Sequence, residues 1–361
     1  MAFRRRRPSS LLSILLQVTF LAHTAHTFLP PRAPPHGGTS LRHPEASHCA
    51  LRDAINRGVL ARALPRVHAT SQPFEGILEE EAALRLTIAK DPKDADALFN
   101  LAVLLINEKQ DSLGAEIAFR RVIDINPNAA VAHFNLGVLL NNHKKDFDGA
   151  EAAFRSALRA DPTDAEAHYY LGSLLIDEKE DIDAAESAFY RAIEHNPNYA
   201  MAYINLGRLL MDHRNDFDGA KICFDRAIDV DPNLSTAHYN LGFLLENRLF
   251  EIASAEEAYR DAITADSDNA RAHNNLGLLL EYHKKDFEGA EEAYRAAIAA
   301  DPSNPMPHYN LGILLEEKGD LRGAIAATEG YVAAGDPDNN GQQHLERLHT
   351  NLAFEIASSL S

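Results

Sequence analysis

The chain has 361 residues, 45% hydrophobic and 24% charged, with no Trp, two cysteines and a formal net charge of −18. The lone cysteines, Cys49 and Cys223, give neither a disulfide framework nor a metal-ligand spacing, so no metal or other cofactor is expected. Residues 1–75 carry ten Arg, no Lys and three acids, which leaves 25 basic against 50 acidic side chains from Gly76 onward, a formal balance of −25 that repels nucleic acid and anionic lipid and favours basic protein partners.

In chain order, the four arginines at 4–7, the apolar run at 11–22 and the small-residue cleavage site around Ala25 and Thr27 predict a signal peptide over 1–27. The apolar run falls short of the ~20 residues that span a bilayer as a helix, so no stable membrane anchor is expected after cleavage. Residues 28–75 are rich in Pro, Arg, Ser and His, lack amphipathic continuity and are expected to be disordered. A signal peptide followed at once by Phe28 and an Arg-rich, acid-poor segment resembles the bipartite presequences of algae whose plastids are wrapped in extra membranes. The resemblance implies delivery to a plastid by the secretory route; the ER lumen, secretion and a mitochondrial presequence are the alternatives. Residues 76–92 read as a capping helix, a second helix without its own first helix.

From residue 94 the chain copies itself. HFNLGVLL, HYYLGSLL, YINLGRLL, HYNLGFLL, HNNLGLLL and HYNLGILL are one segment repeated, and their glycines, Gly137, Gly172, Gly207, Gly242, Gly277 and Gly312, are each 35 residues after the last. Pro92, Pro127, Pro162, Pro197, Pro232 and Pro302 keep the same period. Within a unit, Ala132, Leu136, Leu139 and Leu140 fall at helical spacing, as do Ala150, Ala153, Phe154, Ala157 and Leu158. Each unit is therefore two amphipathic helices. The first is expected to be capped by Asn128, Thr163, Asn198, Asn233, Asp268 or Ser303, the second by Asp146, Asp181, Asp216 or Asp286. Gly in mid-helix costs about 1 kcal/mol relative to Ala, so its recurrence predicts a facing helix that leaves no room for a Cβ.

Leu136, Gly137, Ala150, Phe154, Ala157 and Pro162 together resemble the tetratricopeptide-repeat family. The resemblance covers 94–338 as seven units and implies an all-α, right-handed α-solenoid. One departure is visible: the inter-helix loop, as in NNHKKDFDG, carries one residue more than that family's usual unit, and only EEKGDLRGA in the last unit is shorter. Residues 339–361 read as a C-terminal capping helix with Leu345, Leu348, Leu352 and Ile356 on one stripe.

The resemblance places the binding surface on the first helices. There Phe99, Phe134 and Tyr169 give an apolar and aromatic lining, and Glu246, Glu281 and Glu316 beside Tyr239, Phe243 and Tyr309 an acidic end, a groove suited to an extended peptide with apolar and basic residues. The alternative is that this stripe packs against neighbouring helices. Asn100, Asn135, Asn205, Asn240, Asn275 and Asn310 share one equivalent site, interrupted by Tyr170. An amide offers donor and acceptor together and suits either a peptide backbone or a bond to the next helix; the row is similar to the asparagine ladder of O-linked N-acetylglucosamine transferases. His133, His168, His238, His273 and His308 recur at a site where Leu98 and Tyr203 also stand, which reads as packing rather than metal ligation. Cys223 stands where other units have Ala, a small helix-packing site. No nucleophile elbow, phosphate loop or paired-carboxylate constellation occurs in the repeats, so no catalytic residue is expected. The function expected is a protein-binding scaffold or assembly factor. An organellar RNA-binding helical repeat would need a basic groove, and here only Arg208 and Arg271 stand at groove positions. A chaperone adaptor that clamps a terminal carboxylate would need several Lys and Arg on the first helices.

Overall fold

The computed structural model describes residues 73–336 and 340–359. The signal peptide assigned to 1–27 and the transit-like segment up to residue 72 lie outside the described residues. Among the described residues there are sixteen α-helices and no strand. Helix α1 (Pro73–Lys90) begins within the segment read as disordered, and Pro suits a first helical turn because its missing N–H has no partner there anyway. Seven helix pairs follow: α2 (Ala95–Asn107) with α3 (Ser112–Ile125), α4 (Ala130–Leu139) with α5 (Phe147–Ala160), α6 (Ala165–Asp177) with α7 (Ile182–His195), α8 (Ala200–Leu209) with α9 (Phe217–Val230), α10 (Ser235–Leu244) with α11 (Ile252–Ala265), α12 (Ala270–Leu279) with α13 (Phe287–Ala300), and α14 (Pro305–Glu317) with α15 (Leu321–Ala333). Helix α16 (Gly341–Ser359) closes the row.

Each second helix packs on its own first helix and on the first helix of the next pair, so buried layers repeat from neighbour to neighbour as an α-solenoid. Ala150, Ala153, Phe154 and Ala157 of α5, and their counterparts in each second helix through α13, are buried. The recurring glycine has a specific neighbour. A Cβ on Gly137 would stand 2.7 Å from the Phe154 ring, and one on Gly277 2.6 Å from the Tyr294 ring. What fills the space is thus an aromatic side chain of the pair's own second helix rather than a crossing backbone. At Ile88, Leu345 and Leu348 the flanking helices α1 and α16 bury apolar side chains, whereas Ile356 is exposed, so the stripe on α16 covers only its first half.

The helix starts divide into two kinds. Asp111, Asp146, Asp181, Asp216, Asp286 and Asp320 all accept from the N–H three residues on at the start of a second helix. For the first helices the expected caps stand one residue too early. Asn128, Thr163, Asn198, Asn233, Asp268 and Ser303 give their backbone N–H to the side chain two residues before them, at 3.0–3.1 Å. They are the turn, not the cap. The capping position is the next residue, where Asp94, Asp164, Asn269 and Asn304 accept a bond and Ala129, Tyr199 and Leu234 cannot.

The extra loop residue is absorbed at the end of the first helix. In the last pair Asp320 N–H bonds the Leu315 carbonyl, the ordinary helix-ending closure with Gly319 at φ +81°. In the six longer units the closure is one residue wider, as in Asp146 N–H to Leu140 O, and a non-glycine residue such as Lys145 takes φ near +56°. Four of these ends, at Leu140–Lys144, Leu210–Arg214, Leu245–Leu249 and Leu280–Lys284, are π-helical turns.

Candidate functional site

Successive first helices α8, α10, α12 and α14 touch one another, whereas second helices meet the next pair through its first helix. The first helices therefore form the closer-spaced wall, and the sequence-derived site residues stand on it. Their side chains are engaged to different degrees. Phe134 and Tyr169 are buried, Phe134 edge-on to Tyr170 at 5.3 Å and Tyr169 beside Tyr199 at 4.9 Å. Burial pushes the Tyr169 hydroxyl up to about 12. Phe99, Tyr239, Phe243 and Tyr309 are half-buried; Phe99 packs edge-on against Phe119 at 5.6 Å, and Tyr309 lies tilted against Tyr331 at 5.4 Å. These rings form the floor of the wall, with part of their surface open.

The asparagines do not form a uniform row. Asn135 and Asn240 are buried and turn back to the carbonyls of Val131 and Thr236 in their own helices, both at 2.8 Å. Asn205 reaches back to the hydroxyls of Tyr169 (3.3 Å) and Ser173 (3.2 Å), Asn275 to that of Tyr239 (3.4 Å), and Asn310 to Asn274 Oδ1 (2.9 Å). Three amides thus tie one first helix to the preceding one, and Asn100 is half-buried on α2.

The three carboxylates have separate surroundings as well. Glu246 and Glu281 are buried, each accepting a hydrogen bond of 2.8 Å from the tyrosine of its own pair, Tyr259 and Tyr294. Burial raises the Glu246 carboxyl above its ordinary value, against the opposing bond from Tyr259. Glu316 is held by the closing helix, 3.0 Å from His344 Nε2 and 2.8 Å from Arg347. Burial pushes its carboxyl up, but the bond from His344 and the charge of Arg347 more than offset this and leave it below its ordinary value. The open positions on the wall are others: Val131, Thr236, Arg271 and Met306 are exposed.

The recurring histidines do more than fill space. His133, His168, His238, His273 and His308 each place Nε2 2.9–3.3 Å from the carbonyl of the residue six before, the turn that leads into their helix. Each ring donates an N–H there and clamps the turn, a bond that Leu98 and Tyr203 cannot make in the same way. Cys223 is buried, which pushes its thiol up to about 11. Among the described residues no group of three His, Cys, Asp or Glu is placed to hold a metal, and no helix is long and apolar enough to cross a membrane.

Ion pairs also join one unit to the next. Lys144, Lys179 and Arg214 at the ends of first helices pair with Glu116, Glu151 and Glu186 of the preceding second helices at 3.0, 3.5 and 2.8 Å. Lys109 with Glu81 of α1, and Lys284 with Glu256, make the same pair. The signal was present as opposite charges 28 residues apart, repeated with the period of the chain.

A family model described as tetratricopeptide repeat matches residues 81–130, 110–165, 144–200, 177–234, 251–305 and 286–340. Among curated proteins no sequence matches. Of solved structures, the chain is similar to yeast Tom70, with 16% identity and a TM-score of 0.52 over 79% of this chain and 62% of that one. It is similar to the APC/C hetero-tetramer Cut9-Hcn1 at 16% identity and a TM-score of 0.53, over 75% and 52%. The Pseudomonas aeruginosa pilF structure matches at 18% identity and a TM-score of 0.52, over 61% and 98%. At these identities the likeness is one of fold.

Proposed function

Since the chain belongs to the tetratricopeptide-repeat family, a family of protein-interaction scaffolds, we propose that it is a non-catalytic scaffold or assembly factor that holds an extended segment of a partner protein along the wall of its first helices. The observation that carries this reading is the composition of that wall: partly open aromatic rings at Phe99, Tyr239, Phe243 and Tyr309, beside the exposed side chains of Val131, Thr236, Arg271 and Met306 on the first helices. Rings give apolar contact at little entropic cost. The preference for a basic partner rests on the balance of −25 from Gly76 onward, since Glu246, Glu281 and Glu316 are engaged within the protein. The same charge disfavours RNA.

The wall can be obstructed without disturbing the core. Thr236 and Arg271 are exposed and occupy equivalent positions on α10 and α12. Peptides selected from a displayed random library against the wild type should bind Thr236→Arg/Arg271→Glu at least about tenfold more weakly, with unchanged thermal melting. Unchanged isotherms would remove the wall from consideration. For the destination we propose a plastid reached through the secretory route, on the pattern of residues 1–75. Terminal sequencing of native protein tests it, and a chain still starting near Met1 would end that reading.

A further inference from the structure

The row of ion pairs has one gap. At the junction of α9 and α10 the positions that hold Glu and Lys elsewhere are Lys221 and Leu249, which cannot pair; Lys221 turns to Asp225 in its own helix at 3.1 Å. On either side of the gap the surface becomes apolar. Ile222 is 62% exposed, Phe250 63% and Tyr190 51%. The equivalents of Tyr190 in other pairs include Arg155 and Arg260, and those of Phe250 are Gln110, Lys145, Glu180, Asn215 and Lys285. At the site of Ile222 stand Ala152, Ser187, Glu257 and Glu292, with Ile117 the other large apolar residue. Phe250 also takes φ +58°, a left-handed conformation uncommon for a bulky residue.

The three side chains belong to one patch. Arg214, in the loop just before α9, pairs with Asp183 and Glu186 of α7, and Tyr190 stands one turn beyond Glu186 on that same face, turned towards α9, which carries Ile222. The bridged junctions show that position 249 faces position 221, which brings Phe250 to the same side of α9, where Arg248 stands 5.8 Å over the Phe217 ring. Tyr190 and Ile222 stand on second helices and Phe250 in the loop between α10 and α11, whereas the exposed wall positions Val131, Thr236, Arg271 and Met306 lie at the starts of first helices.

We propose that this patch is a second docking surface, for a partner segment that presents apolar side chains flanked by basic ones. Charge decides the flanks. Of the cations nearby, Arg214 pairs with Asp183 and Glu186, Lys221 with Asp225, and Arg248 lies over the Phe217 ring, while Asp218 and Glu251 are exposed at the rim. A second copy of the chain would bring the same acidic rim against itself in a molecule of net charge −18.

The test replaces each residue with one already tolerated at its equivalent position, in a combination neutral in charge: Tyr190→Arg, Ile222→Ser and Phe250→Glu. The probe is a labelled helical peptide of about fourteen residues with Leu at three- and four-residue spacing and Lys elsewhere, together with a twin carrying Glu for Lys. The full chain should bind the Lys peptide at physiological salt, with affinity lowered about tenfold or more in the triple variant and for the Glu twin. Binding to Thr236→Arg/Arg271→Glu should match wild type, which separates this surface from the first-helix wall. The proposal is overturned by any of three results. These are no binding of the Lys peptide, equal binding to the wild type and the triple variant, and a concentration-dependent dimer in sedimentation that the triple variant abolishes.

Discussion

At the scale of the residue, the repeated glycine has a cause that can be measured. The ring of Tyr294 is fully buried, so it cannot retreat from a Cβ placed 2.6 Å away on residue 277. Gly277→Ala should gain about 1 kcal/mol in helix propensity and lose more than that to overpacking, typically about 1–3 kcal/mol. At Gly312 the nearest atom to a new Cβ is the Thr328 hydroxyl at 3.0 Å, and the next is 3.7 Å away. Gly312→Ala should therefore be close to neutral. Urea unfolding of the two variants compares them directly; equal losses would show that the aromatic ring is not what excludes the side chain. The need for a small residue was legible in the sequence, but the ring that imposes it was not, because helical spacing says which face is buried and not which side chain of the facing helix fills a notch.

At the scale of the element, the second helices show how a local rule can be read from one chain. Six of seven start with an Asp that accepts from the third N–H, and the seventh starts with Glu251, whose longer side chain makes no such bond. Glu251→Asp should stabilise the protein by about 0.5–1 kcal/mol, the usual value of a restored cap. A thermal melt that does not rise would mean that the geometry of this loop, with Phe250 in place of a polar residue, prevents capping. The first helices teach the opposite lesson. A polar residue in the turn before them has two possible roles, and the one-residue difference between Asn128 as a cap and Asn128 as a turn donor depends on backbone geometry that composition does not carry.

At the scale of the whole molecule, the stack depends on how its ends are closed. Leu345 and Leu348 of α16 are buried in the core shared with α12 to α15, and Glu316 of α14 is bound by His344 and Arg347 of the same closing helix. Deleting residues 341–361 uncovers apolar surface on the last pair, so the variant should melt lower and associate; a clean monomer in light scattering with an unchanged melt would show that α16 is not needed for closure. The Glu316 contact also sets a pH dependence. Its carboxyl titrates lower in the folded protein than in the unfolded chain, so the unfolded state binds the proton first. The stabilisation is present above the unfolded value of about 4.3 and is lost as pH falls through the lower, folded value. Glu316→Gln should thus destabilise the protein at pH 7 by on the order of 1 kcal/mol, and the difference should close in acid. A difference that persists unchanged at low pH would assign the effect to packing instead.

The sequence by itself determined the period, the two helices of each unit, the capping aspartates of the second helices and the need for a small residue at Gly137 and its equivalents. These follow from short-range physics, helical spacing and terminal hydrogen bonds, written repeatedly in one chain. Only the tertiary structure decided where the side chains of the wall spend their hydrogen bonds. It turned Asn135 and Asn240 into their own helices, directed Asn205, Asn275 and Asn310 to the preceding pair, buried Glu246 and Glu281 against tyrosines, and gave Glu316 to the closing helix. The physical reason is that periodicity fixes the face on which a residue stands, whereas its partner is set by the offset and crossing of helices that are distant in the chain, and identical residues at equivalent positions meet different neighbours there.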